Sequence, residues 1–146
     1  MVEFNAPTRE GALNALVHHL LKLKLIENDE ELYQKLLERE MMESTAIENN
    51  VAIPHCKLEK LKNPVILLGI SRQGVNFLSI EKKPTHVFFL VISPADFPAL
   101  HLKVLASVAK IAKSKDLMKK IIAEKDYSRI KQLIKEEEEN QILKSP

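Results

Sequence analysis

Helical periodicity toward both ends of the chain and apolar runs without it in the middle predict an α/β fold. The form predicted is a three-layer α/β/α sandwich with a mixed β-sheet. Apolar residues recur every three or four positions before residue 42 and again after Pro98, as they do on helices with one buried face. The runs Val65-Ile66-Leu67-Leu68-Gly69-Ile70 and Thr85-His86-Val87-Phe88-Phe89-Leu90-Val91-Ile92 lack that period, as strands covered on both faces do. A length of 146 residues, with no repeat or linker, fits a single domain over residues 1–146 with a substantial core.

Val2-Glu3-Phe4 reads as a short first strand ended before Pro7. From Thr8 to about Lys24, Leu13, Leu16, Val17, Leu20 and Leu21 follow helical spacing. Asn28 and Glu31 form an asparagine version of a capping box, opening a helix with Leu32, Leu36 and Leu37 inward. That helix ends near Met42 and carries Arg39 in its last turn, where positive charge suits the helix dipole. Residues 51–53 form a short buried strand. The long strand starting at Val65 is followed by a turn at Gly74 and by residues 76–83, a short strand or a connection. The strand from Thr85 closes at Ser93-Pro94. Helix returns from Pro98 to Lys113 with Leu102, Leu105, Val108 and Ala112 inward. Ser114 or Asp116 starts another helix, and Asp126 caps the last.

Several function classes are excluded by composition. The net charge is only +2, with lysines interleaved among glutamates, and aromatic content is 5%. Nucleic-acid binding calls for a basic stripe with aromatic platforms, so no nucleic-acid partner is expected. A single cysteine, Cys56, excludes an internal disulfide framework. No apolar run approaches the roughly 18 residues of a membrane span and no signal-peptide pattern opens the sequence. A cytoplasmic protein without direct membrane insertion is the expectation.

The pentapeptide Val51-Ala52-Ile53-Pro54-His55 is the most informative stretch. Proline lacks a backbone donor and fixes one dihedral, so it ends the strand. His55 is then held at the rim of a core element, a proton acceptor and nucleophile near neutral pH. A structural histidine that merely follows a proline is the competing reading, and the pentapeptide alone leaves both open.

The longer segment Arg39-Glu40-Met41-Met42-Glu43-Ser44-Thr45-Ala46-Ile47-Glu48-Asn49-Asn50-Val51-Ala52-Ile53-Pro54-His55 resembles a known signature. It is that of the IIA components of the bacterial sugar phosphotransferase system, of the fructose/mannitol/nitrogen-regulatory (type 2) family. There an Arg-Glu pair precedes Ser-Thr-Gly-Ile-Gly-x-Gly-x-Ala-Ile-Pro-His, and the final histidine carries a phosphoryl group. Gly74-Val75-Asn76-Phe77, Pro84, Val87-Phe88-Phe89-Leu90-Val91 and His101-Leu102 extend the likeness over nearly the whole chain. The resemblance implies the same three-layer fold.

It also implies a site. His55 is the expected phosphoryl acceptor. His101, at a predicted helix start rather than in the core, is expected to bond a phosphoryl oxygen while staying neutral. Arg39 is expected to grip phosphoryl oxygens in its fork; otherwise it is a solvated charge at a helix end. Ser44 and Thr45 either donate hydroxyls to the site or cap a turn. Where the family has glycines this chain has Ala46, Glu48 and Asn50. Of these Asn50 tolerates a left-handed backbone, whereas Ala46 and Glu48 do not, and Glu48 brings negative charge. Glu81-Lys82-Lys83 replaces the usual Asp-Gly before the proline, which puts that connection in question.

Other constellations are weaker. Cys56 beside His55, with the remote His101, suggests a cysteine hydrolase, but neighbouring strand residues face opposite ways and no glycine-rich nucleophile turn exists. His18 and His19 adjoin on a helix and cannot share a metal, and His86 stands alone. Residues 136–139 read as a solvated helix end.

The function expected is that of a phosphocarrier taking a phosphoryl group onto His55 from HPr or an HPr-like carrier and passing it to a IIB cysteine, for sugar uptake. No metal or organic cofactor is expected. The alternative is a nitrogen-type regulatory protein whose phosphorylation changes its binding to target proteins. The sequence contains no fused IIB or IIC segment, which keeps that alternative open, and it does not name a sugar.

Overall fold

The computed structural model describes residues 1–144, with side chains through residue 141. In chain order its elements are β1 (Val2–Glu3), α1 (Arg9–Lys22), α2 (Asp29–Met42), β2 (Ala46–Ile47), β3 (Val51–Ala52), β4 (His55–Leu58), β5 (Val65–Val75), β6 (Thr85–Pro94), α3 (Pro98–Ala112), α4 (Lys115–Ala123) and α5 (Tyr127–Lys144). The sheet is organised on β6, which pairs antiparallel with β5 and parallel with both β3 and β4. Parallel β1 and antiparallel β2 complete a mixed sheet of order β1-β5-β6-β3-β2.

The alternation of β6 divides the core. Phe88, Leu90 and Ile92 pack with Leu13, Leu16, Leu20, Leu32 and Leu36 of α1 and α2. Val87, Phe89 and Val91 face Val108, Ile111, Leu117, Ile121 and Ile130 of α3, α4 and α5. Successive residues of a strand point to opposite faces, so one strand serves both helical layers. The three-layer α/β/α arrangement with a mixed sheet is therefore the fold.

The helix starts follow their local chemistry. Thr8, Asn28 and Ser114 cap α1, α2 and α4 by accepting backbone N–H groups three residues on. At α5, Asp126 Oδ1 accepts the Ser128 N–H at 2.9 Å. One expectation on the helices needs correction. Leu102 is 68% exposed, because the buried stripe of α3 runs through His101, Val108 and Ala112 instead. Adjacent helical residues are about 100° apart, so His101 and Leu102 cannot both face the sheet. Residues 76–83 form a connection, with one isolated bridge from Asn76 to Thr8.

Pro54 interrupts the strand pairing without ending it. Val51 pairs with Val87 and His55 with Val91, the same offset on both sides of the gap. Proline has no N–H for the ladder, but its carbonyl accepts the Val91 N–H at 2.9 Å. His55 therefore opens β4 rather than a loop, and its backbone is held by β6.

Candidate functional site

The ring of His55 is fixed as well as its backbone. Its Nδ1 lies 2.7 Å from the Ile53 carbonyl oxygen. A carbonyl only accepts, so Nδ1 carries the proton and the lone pair of the neutral ring resides on Nε2. Burial holds the His55 pKa below its ordinary value against the pull of the Ile53 carbonyl, and the positive charge of Arg39 adds to the lowering. The neutral form, the one that can act as a nucleophile, is thus favoured.

Arg39, Ser44, Thr45 and His55 line one cavity of about 340 Å³, together with Glu43, Ile47, Ile53, Leu105 and Ala109. Arg39 reaches it from the last turn of α2, with Nη1 donating to the Glu43 carbonyl at 2.7 Å. The side chain is thereby anchored at the helix end that opens toward His55. A larger surface cavity, about 600 Å³, runs along Gly74, Asn76, Ser79, Lys82 and Pro84 and gathers none of the expected site residues.

His101 comes from the opposite direction, in the first turn of α3. Its ring centroid lies 5.7 Å from that of His55, with the planes tilted by 44°. Contrary to expectation it is buried, at 7% exposure, because it occupies the inward stripe that Leu102 had been assigned. Its Nδ1 is buried without a hydrogen-bond partner among the described residues. Burial lowers its pKa first, followed by the repulsion of His55 and of Lys57. Both imidazoles are thus held toward the neutral form, each with one ring N–H to donate and one lone pair to offer.

Ser44 and Thr45 brace the turn between α2 and β2. The Ser44 hydroxyl donates to the Phe77 carbonyl at 3.1 Å and accepts the Ala46 N–H at 3.2 Å. The Thr45 hydroxyl donates to Glu40, whose carboxylate also accepts the Thr45 N–H at 2.9 Å. Both hydroxyl protons are spent inside the protein, although both residues line the cavity. Sequence reasoning assigned no role to Glu40, which is buried at 2% exposure. The signal was present, since Leu32, Leu36 and Glu40 follow a four-residue stripe on α2.

The hairpin between β2 and β3 solves its glycine problem with asparagines. Asn49 and Asn50 adopt φ of 69° and 62°, whereas Ala46 and Glu48 lie outside the left-handed region. Two successive left-handed residues suit the twist of a tight hairpin, and asparagine is the side chain that tolerates them best after glycine. The Asn50 amide donates to the Pro84 carbonyl at 2.8 Å and that of Asn49 to Lys113 at 3.2 Å. Glu48 is exposed on this turn.

Cys56, next along β4, packs on the opposite face against the α1/α2 core. Burial pushes its thiol up to about 12. A thiol held protonated on the far face cannot pair with His101, which removes the hydrolase reading. No three His, Cys, Asp or Glu side chains gather as a metal-binding group among the described residues, nor is any described helix long and apolar enough to cross a membrane.

Residues 1–137 match the family described as phosphoenolpyruvate-dependent sugar phosphotransferase system, EIIA 2. A nitrogen regulatory protein of Bradyrhizobium diazoefficiens is 35% identical over 104 residues, 71% of this chain and 68% of that one. A PTS system fructose-specific EIIA component of Haloferax volcanii is 24% identical over 129 residues, covering 88% and 84%. Among solved structures, the nitrogen regulatory protein IIA-Ntr from Neisseria meningitidis superposes with a TM-score of 0.83 at 19% identity, over 91% of this chain and 90% of that one. The IIA mannitol enzyme of Escherichia coli, solved in complex with phosphorylated enzyme IIB, gives 0.74 at 16% identity, over 91% and 92%. At those identities the structures speak for the fold.

Proposed function

The chain belongs to the EIIA 2 family of the phosphotransferase system, and from that premise we propose that it is a phosphocarrier whose acceptor atom is Nε2 of His55. The observation that supports this most is the Nδ1–H bond to Ile53, which leaves one ring nitrogen with its lone pair. In the proposed step that lone pair attacks phosphorus as the bond to the donor's histidine nitrogen breaks. The donor nitrogen recovers its own pair, so no proton need move on His55. Arg39 supplies charge and donors for the equatorial oxygens, which carry the developing negative charge. His101 stands close enough to His55 to donate to the same group once phosphorylation raises its basicity.

The donor on this reading is HPr or an HPr-like carrier, and the acceptor is the cysteine of a IIB domain. In the second step the S–P bond forms, the N–P bond breaks and the thiol proton is lost. The proposal places this chain in the cytoplasm, where it would meet both partners. Incubation with phosphorylated HPr tests the first step: one acid-labile phosphoryl group is expected. Rapid loss of label to a IIB domain from the same genome tests the second.

A second reading is favoured by one observation: the nitrogen regulatory relative is the more similar in sequence of the two compared. A regulator needs only a difference in partner affinity between its two states. The added phosphoryl group supplies about −1.5 to −2 charge at the cavity rim for that purpose. If no IIB domain takes the label while a non-transport protein binds one phosphorylation state only, the regulatory reading replaces the carrier reading.

A further inference from the structure

Glu40 is the most deeply buried carboxylate described, and its bonds lead toward His55. It contacts neither the cavity nor the ring. Its Oε2 accepts the Thr45 N–H at 2.9 Å and its Oε1 accepts the Thr45 hydroxyl. The Thr45 carbonyl accepts the Ile53 N–H at 3.2 Å, and the Ile53 carbonyl receives the Nδ1–H of His55 at 2.7 Å. We propose that Glu40 is a positioning residue for His55, acting through Thr45 and Ile53 to hold the ring in its Nδ1–H form. This deepens the phosphocarrier reading and rests on it for the consequence in rate, though not for the consequence in the ring itself.

With the Thr45 N–H and hydroxyl both donating, each oxygen acts as an acceptor, as the ionised side chain provides. Burial works against that charge, while the Thr45 bonds and the nearby Arg39 and Arg9 favour it. A buried ion retained with both oxygens bonded is a stiff anchor, because either bond lost leaves an unpaired buried group. The linkage is positional rather than electronic. At Thr45 the bonded N–H and C=O belong to different peptide units, so polarisation is not handed along the chain, but distance is. Shifting Thr45 shifts Ile53, and with it the carbonyl that chooses the tautomer of His55. A carbonyl drawn out of reach would let the proton move to Nε2 and block the attacking lone pair.

The test uses Glu40→Gln, Thr45→Val and Thr45→Ser in the full chain. Imidazole nitrogen NMR of the unphosphorylated protein reads the tautomer, and the rate of phosphoryl acceptance from phosphorylated HPr reads the function. The wild type is expected in the Nδ1–H form. Glu40→Gln and Thr45→Val are expected to populate the Nε2–H form and to accept the phosphoryl group at least about tenfold more slowly, with an unchanged KM for the donor. Thr45→Ser, which keeps the hydroxyl, is expected to restore both. A folded Glu40→Gln with wild-type tautomer and rate would overturn the proposal, as would a Thr45→Ser as impaired as Thr45→Val. If Glu40→Gln does not fold, Thr45→Val decides by the same two readouts. A wild type that accepts no phosphoryl group contradicts the carrier reading instead, while the tautomer comparison still decides the role of Glu40.

Discussion

The two faces of β4 hold two potential nucleophiles one residue apart, in opposite surroundings. His55 faces α3, with its ring bonded, its neutral form favoured and Arg39 and His101 at hand. Cys56 faces α1 and α2, packed among apolar side chains with its thiol pushed up to about 12. Residue type is a poor guide here, since a thiol is intrinsically the stronger nucleophile once ionised. What separates them is the face: one offers charge and a cavity, the other only burial.

Removing the favoured side should have the largest effect. His55→Ala is expected to abolish acid-labile phosphorylation while the protein still melts cooperatively; full labelling of that variant would break the comparison. Next comes the support around the ring. His101→Ala and Arg39→Lys are each expected to slow transfer by roughly one to two orders of magnitude, as for loss of one preorganised donor. His101→Ala should also lower stability, by roughly 1–3 kcal/mol, since the imidazole is buried. Unchanged transfer in both variants would reduce these residues to packing and helix-end charge.

A smaller effect is expected with pH. His55 and His101 have folded values lowered from the ordinary 6.5. Below that pH the unfolded chain binds protons that the folded one resists. Their contribution to stability is therefore present above about 6.5 and lost as pH falls through the lowered folded values. Glu40 works in the opposite sense: its raised value means the folded form takes a proton first, so its contribution declines as pH rises from 4.5 through that value. Phosphoryl acceptance should accordingly stay level below pH 6.5 before it declines, measured as the initial labelling rate. A decline centred at 6.5 or above would contradict the burial account. The smallest effect belongs to the other face. Cys56→Ala should leave transfer unchanged and shift stability by only roughly 1 kcal/mol. Slow alkylation of the native thiol at pH 8 would sharpen the contrast.

The three layers were legible because they rest on repeated patterns. The cap at Asn28 and the apolar runs of β5 and β6 each state their structure locally, whereas the capping bond of Thr8 and the choice of Ser114 over Asp116 appear only in the fold. The short strands β2 and β4 were not legible, since two to four residues carry little period and their pairing is decided by β6. Pro54 hid the continuity of β3 and β4, because the shared register across it appears only once both are laid on β6. At α3 the apolar pattern assigned the inward stripe to Leu102, and a polar histidine took it. Asn50 was recognised as a left-handed residue, but the equal role of Asn49 depended on the hairpin closing around both. The sequence pointed to Arg39, His55 and His101 by resemblance. Their meeting, and the burial of Glu40 behind them, follow from packing that no local pattern records.

The central claim is that His55 is held as the Nδ1–H tautomer so that Nε2 receives the phosphoryl group. Phosphorus and imidazole nitrogen NMR of the protein labelled by phosphorylated HPr tests it most directly. The account predicts a single phosphohistidine at His55 with phosphorus on Nε2 and the proton retained on Nδ1. Phosphorus on Nδ1, or on any side chain other than His55, would contradict it.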